Sequence, residues 1–139
     1  MSRARKGAEA MHEELPVTLP LLEKRRETPR MVTLLFPLAA PPQDSFDAAA
    51  TQPGQFVMMW VPDLNEKPFV ISQIGDGRFG VTVMARGELT TRLHVAEPGE
   101  LVGFRGPYGR GFRGWEEHAD DPGTVLIGGG CGMASLALL

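Results

Sequence analysis

Residues 66–72, with the sequence EKPFVIS, place a cation, a rigid backbone position and an aromatic ring directly before an apolar run. Lys67 offers a positive charge, Pro68 fixes the backbone, and Phe69 offers a flat apolar face. A plain β-strand gains nothing from this order, whereas a loop that holds a charged, flat ligand against a sheet uses all three residues. The alternative is that Phe69 is an ordinary core residue.

A second candidate element is ARGELTT, residues 85–91, in which Gly87 precedes Thr90 and Thr91 at the start of a predicted helix. Backbone N–H groups at a helix start, helped by hydroxyls and the helix dipole, are suited to a phosphate. The alternative is that Thr90 only caps the helix. Taken together, the two elements suit a dinucleotide that carries an aromatic ring system.

The last candidate is TVLIGGGCGMASLALL, residues 124–139, which predicts a short strand, a glycine loop and a helix. This order can cradle a phosphate on Gly128, Gly129, Gly130 and Gly132. The G-x-G-x-x-G fingerprint fails strictly, since Met133 or, in the shifted frame, Ser135 replaces the third glycine. A tight strand-to-helix turn therefore explains the glycines equally well. Cys131 is interpreted as a small buried residue rather than a nucleophile, because an elbow centred on it needs glycine in place of Met133.

Other kinds of chemistry find little support. The three histidines are far apart without ligand spacing, so neither a metal site nor an acid–base catalytic set is predicted. A single cysteine excludes an intrachain disulfide, and neither a membrane span nor a secretory signal is predicted, so we expect a cytoplasmic protein. The net charge of −3 argues against nucleic acid as a partner. Basic clusters at residues 2–6 and 23–30 leave open a solvated face or a surface for RNA or an acidic partner.

The elements that position these residues are predicted to be mostly strands, because glycines and prolines separate short apolar runs. Six or so antiparallel strands and one short helix predict a mainly β protein with a small β-barrel. Its predicted strands include residues 17–27, 30–38, 55–62 (buried on both faces), 69–75 and a strand before a turn at Gly106-Pro107. A hairpin turn is predicted at residues 75–77 and the helix at 87–95. The predicted organisation is a mobile tail (1–14, where Met11 could be the true start), the barrel (15–114), a linker (115–123) and the first βα unit of a truncated α/β domain (124–139).

The segments PGQFVMMWVP, EKPFVIS, ARGELTTRL, GFRGPYGRGF and TVLIGGGCGMASL occur in the order seen in the ferredoxin-reductase-like flavoprotein superfamily. Over residues 15–139 the chain resembles its electron-transfer subunits, namely that of dihydroorotate dehydrogenase and the related sulfhydrogenase and sulfite reductase subunits. The resemblance implies a six-stranded Greek-key FAD-binding barrel followed by an NAD(P)-binding α/β domain. It also implies a flavin-dependent oxidoreductase component that passes electrons between NAD(P)H and a catalytic partner subunit.

The resemblance also implies roles for individual residues. Lys67 stands where the family usually has an arginine facing the FAD pyrophosphate, Phe69 where a residue packs on the isoalloxazine, and Val70 where a Ser or Thr approaches flavin N5. Ser72, two residues on, substitutes for that hydroxyl only if the register differs. In the family's Gly-x-Gly-Thr motif, Leu89 replaces the second glycine. The cofactor-binding residues implied or proposed in this way are Lys67, Pro68, Phe69, Val70, Thr82, Val83, Met84, Gly87, Leu89, Thr90, Gly128, Gly129, Gly130 and Gly132.

The resemblance implies two further cofactors, which we expect only in a complete protein. We expect NAD(P) to require the rest of the α/β domain, and a [2Fe–2S] centre to require a cysteine cluster in a missing C-terminal region. The alternative function is a degenerate, non-catalytic β-barrel binding module that has lost flavin. Val70 and Leu89 motivate this alternative, because both depart from the family pattern at cofactor-facing positions.

Overall fold

The computed structural model describes residues 15–38, 46–118 and 120–139, so the predicted mobile tail lies outside the described residues. The described part contains eight β-strands, a short 3₁₀ helix and two α-helices. The strands are β1 (Val17–Pro20), β2 (Glu23–Thr28), β3 (Met31–Pro37), β4 (Phe56–Trp60), β5 (Lys67–Phe69), β6 (Gln73–Gly75), β7 (Arg78–Met84) and β8 (Leu101–Tyr108). The 3₁₀ helix is Ala48–Ala50, and the α-helices are α1 (Glu88–Val95) and α2 (Gly132–Leu136).

The strands form two four-stranded antiparallel sheets. The first has the order β1-β8-β4-β5 and the second the order β2-β3-β7-β6. Among the described residues the two sheets share no strand pair, so hydrogen bonds do not close the barrel. The predicted mainly β, antiparallel fold class is confirmed, with two strands more than the six expected.

The first extra strand arises because the predicted strand 17–27 divides at a corner. The Leu21 N–H donates to the Glu100 carbonyl at 2.8 Å, beside the first sheet, and the Leu22 N–H donates to the Leu35 carbonyl in the second sheet at 2.8 Å. The chain therefore crosses between sheets at these two leucines. Leu21 is buried at the crossing.

The second extra strand arises in the same way from the predicted strand 69–75. Phe69, the first residue of this predicted strand, is the last residue of β5 in the first sheet, whereas Gln73–Gly75 form β6 in the second sheet. Residues 70–72 make the connection. The segment EKPFVIS therefore lies where the two sheets are joined.

The core lies between the sheets and is centred on four phenylalanines. Phe36, Phe46, Phe79 and Phe104 are buried, with ring centroids 4.7 Å to 5.6 Å apart in the contacting pairs. Tilted and edge-to-face aromatic pairs add stabilisation beyond the burial of their area. The phenylalanine cluster is therefore the rigid support for both sheets.

The prediction that the strand 55–62 is buried on both faces is wrong. In β4 only Val57 and Met59 are buried, while Phe56, Met58 and Trp60 are half-buried on the other face. Apolar residues continue through this strand because its outer face is covered by neighbouring side chains. Trp60, for example, lies over Gly103, where an added Cβ would come within 2.8 Å of the indole.

The local predictions for the hairpin and the helix are confirmed. Asp76 and Gly77 have φ angles of 52° and 71° between β6 and β7, as a type I′ turn requires. Helix α1 buries Leu89 and Leu93 against the core. By contrast, the predicted turn at Gly106-Pro107 is wrong, because β8 continues through both residues to Tyr108.

The C-terminal segment differs from its predicted strand, loop and helix. Residues 124–129 form no regular structure, and Val125 and Ile127 are 76% and 87% exposed. A strand needs a neighbour to pair with, and residues 124–128 have none in the described part of the chain. The helix does form, as the five-residue α2, but Cys131 before it is exposed, so the prediction that it is buried is wrong.

Candidate functional site

Strand β5 presents Lys67 and Phe69 on one face of the first sheet. Phe69 lies opposite Val57 and Lys67 opposite Met59 in the antiparallel ladder, and opposed residues share a face. Because Val57 and Met59 point into the core, Lys67 and Phe69 point to the same side at the sheet edge. The predicted loop is thus an edge strand, where Pro68 is tolerated because its missing N–H faces no neighbour.

Phe69 combines the two roles considered for it. The ring is half-buried and packs against the core cluster, so the core interpretation holds for one side of it. Because β5 is an edge strand, the remaining surface of the ring is accessible to a ligand.

The charge of Lys67 is not neutralised by the rest of the described chain. No carboxylate within residues 15–38, 46–118 and 120–139 lies within ion-pair distance of its ammonium group. The adjacent carboxylate, Glu66, is paired instead with Arg105. Lys67 is exposed and can meet an anionic ligand.

Val70 and Ser72 lie in the connection between the two sheets. Val70 is half-buried and offers no hydrogen-bonding side chain. The Ser72 hydroxyl donates to the Gly80 carbonyl at 3.2 Å and lies 3.0 Å from the Thr82 hydroxyl, while the Ser72 N–H donates to the same carbonyl at 2.8 Å. These bonds direct Ser72 toward β7.

The three β7 residues proposed from the resemblance divide between two faces. Val83 is buried in the core, so only its backbone can meet a ligand. Thr82 and Met84 are half-buried on the outer face of the second sheet. There the Thr82 hydroxyl lies 2.9 Å from that of Thr33, which continues the hydroxyl row formed with Ser72.

At the start of α1, the hydroxyl of Thr90 is already committed. It accepts hydrogen bonds from the N–H groups of Arg86 at 2.9 Å and Gly87 at 2.8 Å, and it donates to the Gly87 carbonyl at 3.0 Å. A hydroxyl has one proton and two lone pairs, so it has no donor left for a phosphate. The capping interpretation of Thr90 is the one that the structure shows.

The first backbone N–H groups of α1 are left over by the helical hydrogen-bond ladder. The helical ladder begins with the Thr91 N–H donating to the Gly87 carbonyl at 2.8 Å. The N–H groups of Glu88 and Leu89 therefore precede the first intrahelical bond. Together with the helix dipole, they form a site at which negative charge is favourable.

Gly87 leaves open space beside this backbone. Its φ of −130° is available to any residue, and no heavy atom lies within 4 Å of an added Cβ. The described chain itself therefore does not require glycine here, whereas a ligand that approaches the backbone closely would. Leu89, at 6% exposure, points into the core, so its side chain does not occlude the same N–H groups.

The glycine loop before α2 has a partly local explanation. An added Cβ at Gly128 would come within 2.5 Å of the Met133 sulfur, and Gly130 has a φ of 55°. Gly129 and Gly132 have open space instead. The turn into α2 therefore accounts for two of the four glycines without a phosphate.

The loop nevertheless reaches another predicted element. A cleft of about 310 Å³ has Thr33, Ser72 and Thr82 on one side and Gly130, Met133, Ala134 and Ala137 on the other. The structure thus brings Thr82 and Gly130 together, while Lys67 and Gly87 do not line this cleft.

Sequence reasoning missed, among other lining residues of this cleft, Thr33, Arg25 and Glu27. Thr33 was detectable as the one hydroxyl in the apolar run MVTLLF. At the rim, hydrogen bonds from Thr33 and then from Arg25 lower the pKa of Glu27. The rim therefore carries a stabilised negative charge beside the hydroxyl row.

The basic cluster at residues 23–30 is partly neutralised. Lys24 lies 3.6 Å from Glu97, and Arg25 lies 2.8 Å from Glu27. Arg26 is exposed and has no ion pair within the described ranges.

Neither a metal-binding cluster nor a membrane-spanning helix is found among the described residues. Across the residues that the structure describes, no group of three or more His, Cys, Asp or Glu side chains is placed to bind a metal ion. No helix in the same part of the chain has the length and hydropathy needed to cross a bilayer.

The sequence is similar to subunits named as probable dihydroorotate dehydrogenase B (NAD(+)), electron transfer subunit. The protein from Methanocella arvoryzae is 36% identical over 124 residues, which cover 89% of this chain and 42% of that protein. The protein from Methanothermobacter thermautotrophicus is 47% identical over 90 residues, 63% of this chain and 32% of that protein. The chain thus spans less than half the length of these relatives. No protein-family model matches it.

Solved structures agree on the fold. A cytochrome P450 reductase from Amycolatopsis matches with a TM-score of 0.65 at 24% identity over 89% of this chain and 37% of that one. The flavohemoglobin from Malassezia yamatoensis, determined with bound FAD and heme, matches with a TM-score of 0.65 at 21% identity over 89% of this chain and 33% of that one. The resemblance seen in the sequence is confirmed. The fold is that of the ferredoxin-reductase-like FAD-binding proteins.

Proposed function

We propose that this chain is the FAD-binding part of an electron-transfer subunit of the dihydroorotate dehydrogenase type. The observation that carries the proposal is the open backbone surface at Gly87, where an added Cβ meets no described atom within 4 Å, beside N–H groups of a helix start that have no hydrogen-bond partner among the described residues. The free charge of Lys67 and the accessible ring of Phe69 supply the other two properties that a flavin dinucleotide needs. The names of the relatives support the same assignment.

The proposed roles follow from the geometry of each group. The N–H groups of Glu88 and Leu89 receive the pyrophosphate, and Lys67 offsets its charge. Lysine acts as a point charge without the bidentate fork of arginine. Phe69 packs against the flat ring system, and Thr90 holds the helix start in shape.

When bound, FAD would supply the redox chemistry between NAD(P)H and the electron acceptor. The chain contributes binding, orientation and exclusion of water. At Val70 it offers an apolar contact rather than a hydrogen bond, so the ring environment there is drier than with Ser or Thr. The backbone of β7 and the hydroxyl row of Thr33, Thr82 and Ser72 lie on the second-sheet side of the connection formed by residues 70–72.

The remaining components are proposed for the complete protein. NAD(P)H binding uses the α/β domain that residues 124–139 are proposed to begin, and the electrons pass to a catalytic partner subunit. A [2Fe–2S] cluster needs four ligands and this sequence has one cysteine, so its other ligands would come from outside this sequence.

A titration with FAD tests the proposal. The purified chain is examined by absorbance and then titrated with FAD, with binding followed by flavin fluorescence. We expect flavin bands or saturable binding, and we expect Lys67→Ala to weaken it. A folded protein that binds no FAD would contradict the proposal.

The degenerate-barrel alternative is favoured by one residue rather than two. Val70 departs from the family pattern in the site, but the burial of Leu89 shows that its side chain is a core residue, so the side chain does not project into the space beside Gly87. This alternative expects a stable, colourless protein whose melting temperature does not rise when FAD is added. The same titration therefore separates the two functions.

A further inference from the structure

The residue before Lys67 forms a two-point ion pair that the proposed site does not use. The Arg105 Nε donates to Glu66 Oε2 at 3.2 Å, and the Arg105 Nη2 donates to Glu66 Oε1. The two side chains are 23% and 32% exposed, compared with 47% and 50% for the pair of Arg78 and Glu23. A guanidinium that bonds both carboxylate oxygens fixes orientation as well as distance.

This pair bridges three strands of the first sheet. Arg105 on β8 lies opposite Met58 on β4, and Met58 lies opposite Pro68 on β5. Glu66 and Pro68 are two residues apart and so share the outer face. The ion pair therefore passes over β4 and ties the start of β5 to β8.

The backbone alone specifies the position of β5 weakly. The strand has three residues and, in the described part of the chain, pairs only with β4. It follows a turn in which Asp63 has a φ of 65° and the Leu64 N–H donates to the Val61 carbonyl at 3.1 Å. Register and twist are poorly fixed in so short an edge strand.

We propose that Glu66 and Arg105 are positioning residues that hold β5 in the orientation needed to bind flavin. Side chains alternate along a strand, so fixing Glu66 on the outer face commits Lys67 and Phe69 to the opposite face. The pair also neutralises the carboxylate next to Lys67, which leaves the ammonium group available to a phosphate. This inference rests on the proposed function of the chain.

Binding of FAD to charge-altered variants tests the inference. Glu66→Gln and Arg105→Met each raise the FAD dissociation constant by about tenfold, the scale expected when a charged hydrogen-bonded pair is broken. The exchanged pair Glu66→Arg/Arg105→Glu restores binding to within about threefold of the original, because opposite charges again meet across β4. The matched control is Glu23→Gln, which breaks the pair with Arg78 in the other sheet and leaves FAD binding unchanged.

A double-mutant cycle separates positioning from general stability. In the Lys67→Ala background, Glu66→Gln adds less than about a twofold effect if the pair acts through Lys67. A full additional effect would show that the pair acts through Phe69 rather than Lys67, whereas an unchanged dissociation constant in Glu66→Gln or no recovery in the exchanged pair would each overturn the inference. A lower melting temperature with unchanged FAD binding would assign the pair to stability alone.

Hydrogen exchange tests the positioning role of the Glu66–Arg105 pair without relying on FAD binding. If the unmodified chain binds no FAD, the proposed function fails, and the role of the pair is decided by the amides of Lys67 and Phe69. Faster exchange at these amides in Glu66→Gln, with β7 unchanged, shows that the pair positions β5. Unchanged exchange at both amides overturns the inference.

Discussion

Thr90 and Gly87 are joined in both directions, because the Thr90 hydroxyl accepts from the Gly87 N–H at 2.8 Å and donates to the Gly87 carbonyl at 3.0 Å. The motif threonine thus fixes the backbone at the helix start, where the phosphate site is proposed. The glycine backbone that it fixes is the same backbone that offers the open surface.

Thr90→Val removes these bonds while keeping the shape of the side chain. We expect the free energy of unfolding to fall by about 1 kcal/mol, as for other helix caps, and FAD binding to weaken with it. Thr90→Ser keeps the hydroxyl and restores both properties. Urea unfolding and FAD titration of the two variants provide the check, and weaker FAD binding in Thr90→Ser with unchanged stability would point to direct contact by the methyl group.

Gly87→Ala separates binding from folding. The backbone conformation is ordinary and the added methyl group meets open space, so the free energy of unfolding changes by less than about 0.5 kcal/mol. The methyl group would stand where the pyrophosphate approaches, and we expect the FAD dissociation constant to rise about tenfold. Gly75→Ala is the matched control, because its Cβ also meets nothing within 4 Å but lies at the end of β6. Equal FAD affinity in both variants would place the pyrophosphate elsewhere.

The features that could be predicted from the sequence are those set by short-range chemistry. Asp76 and Gly77 are residue types that readily adopt the positive φ angles of their turn, and residues 87–95 have the apolar spacing and the start signal of a helix. The corners at Leu21-Leu22 and at residues 70–72 could not be predicted from the local pattern, because the change of sheet is fixed by hydrogen bonds to other segments. Leu21 and Leu22 bond to Glu100 and Leu35, 79 and 13 residues away, and Ser72 bonds to Gly80 in the neighbouring strand β7.

The candidate site, like the fold, could be predicted from the sequence only in part. Lys67 and Phe69 could be found as a motif, and the structure adds that they share one face of an edge strand. The hydroxyl row through Thr33, and the ion pair that brings Arg105 to Glu66, join residues 39 or more positions apart. Such pairs depend on strand register, which the pattern of a single segment does not specify.

The charge of Lys67 predicts an ordered series of FAD affinities. Lys67→Ala should weaken binding by about tenfold, whereas Lys67→Arg should maintain or tighten it, because a guanidinium can bond two phosphate oxygens. The loss in Lys67→Ala should shrink as salt is added, since exposed charges are screened. Arg26→Ala, which removes another exposed cation without an ion pair in the described part of the chain, serves as the control and should bind FAD normally. Equal losses in Lys67→Ala and Arg26→Ala would indicate non-specific attraction.

The lowered pKa of Glu100 predicts that the chain loses part of its stability in acid. The Glu97 N–H and then Arg92 donate hydrogen bonds to its carboxylate and lower its pKa from the ordinary value of 4.5. A carboxyl whose pKa is lower in the folded than in the unfolded state stabilises the fold above its unfolded pKa, and this stabilisation is lost as the pH falls through the folded value. Glu100→Gln should therefore be less stable than the unmodified chain at pH 7. This difference should disappear as the pH falls below 4.5 and through the folded pKa. Urea unfolding at a series of pH values measures this difference, and a gap that persists unchanged below the folded pKa would mean that Glu100 contributes through packing rather than through its charge.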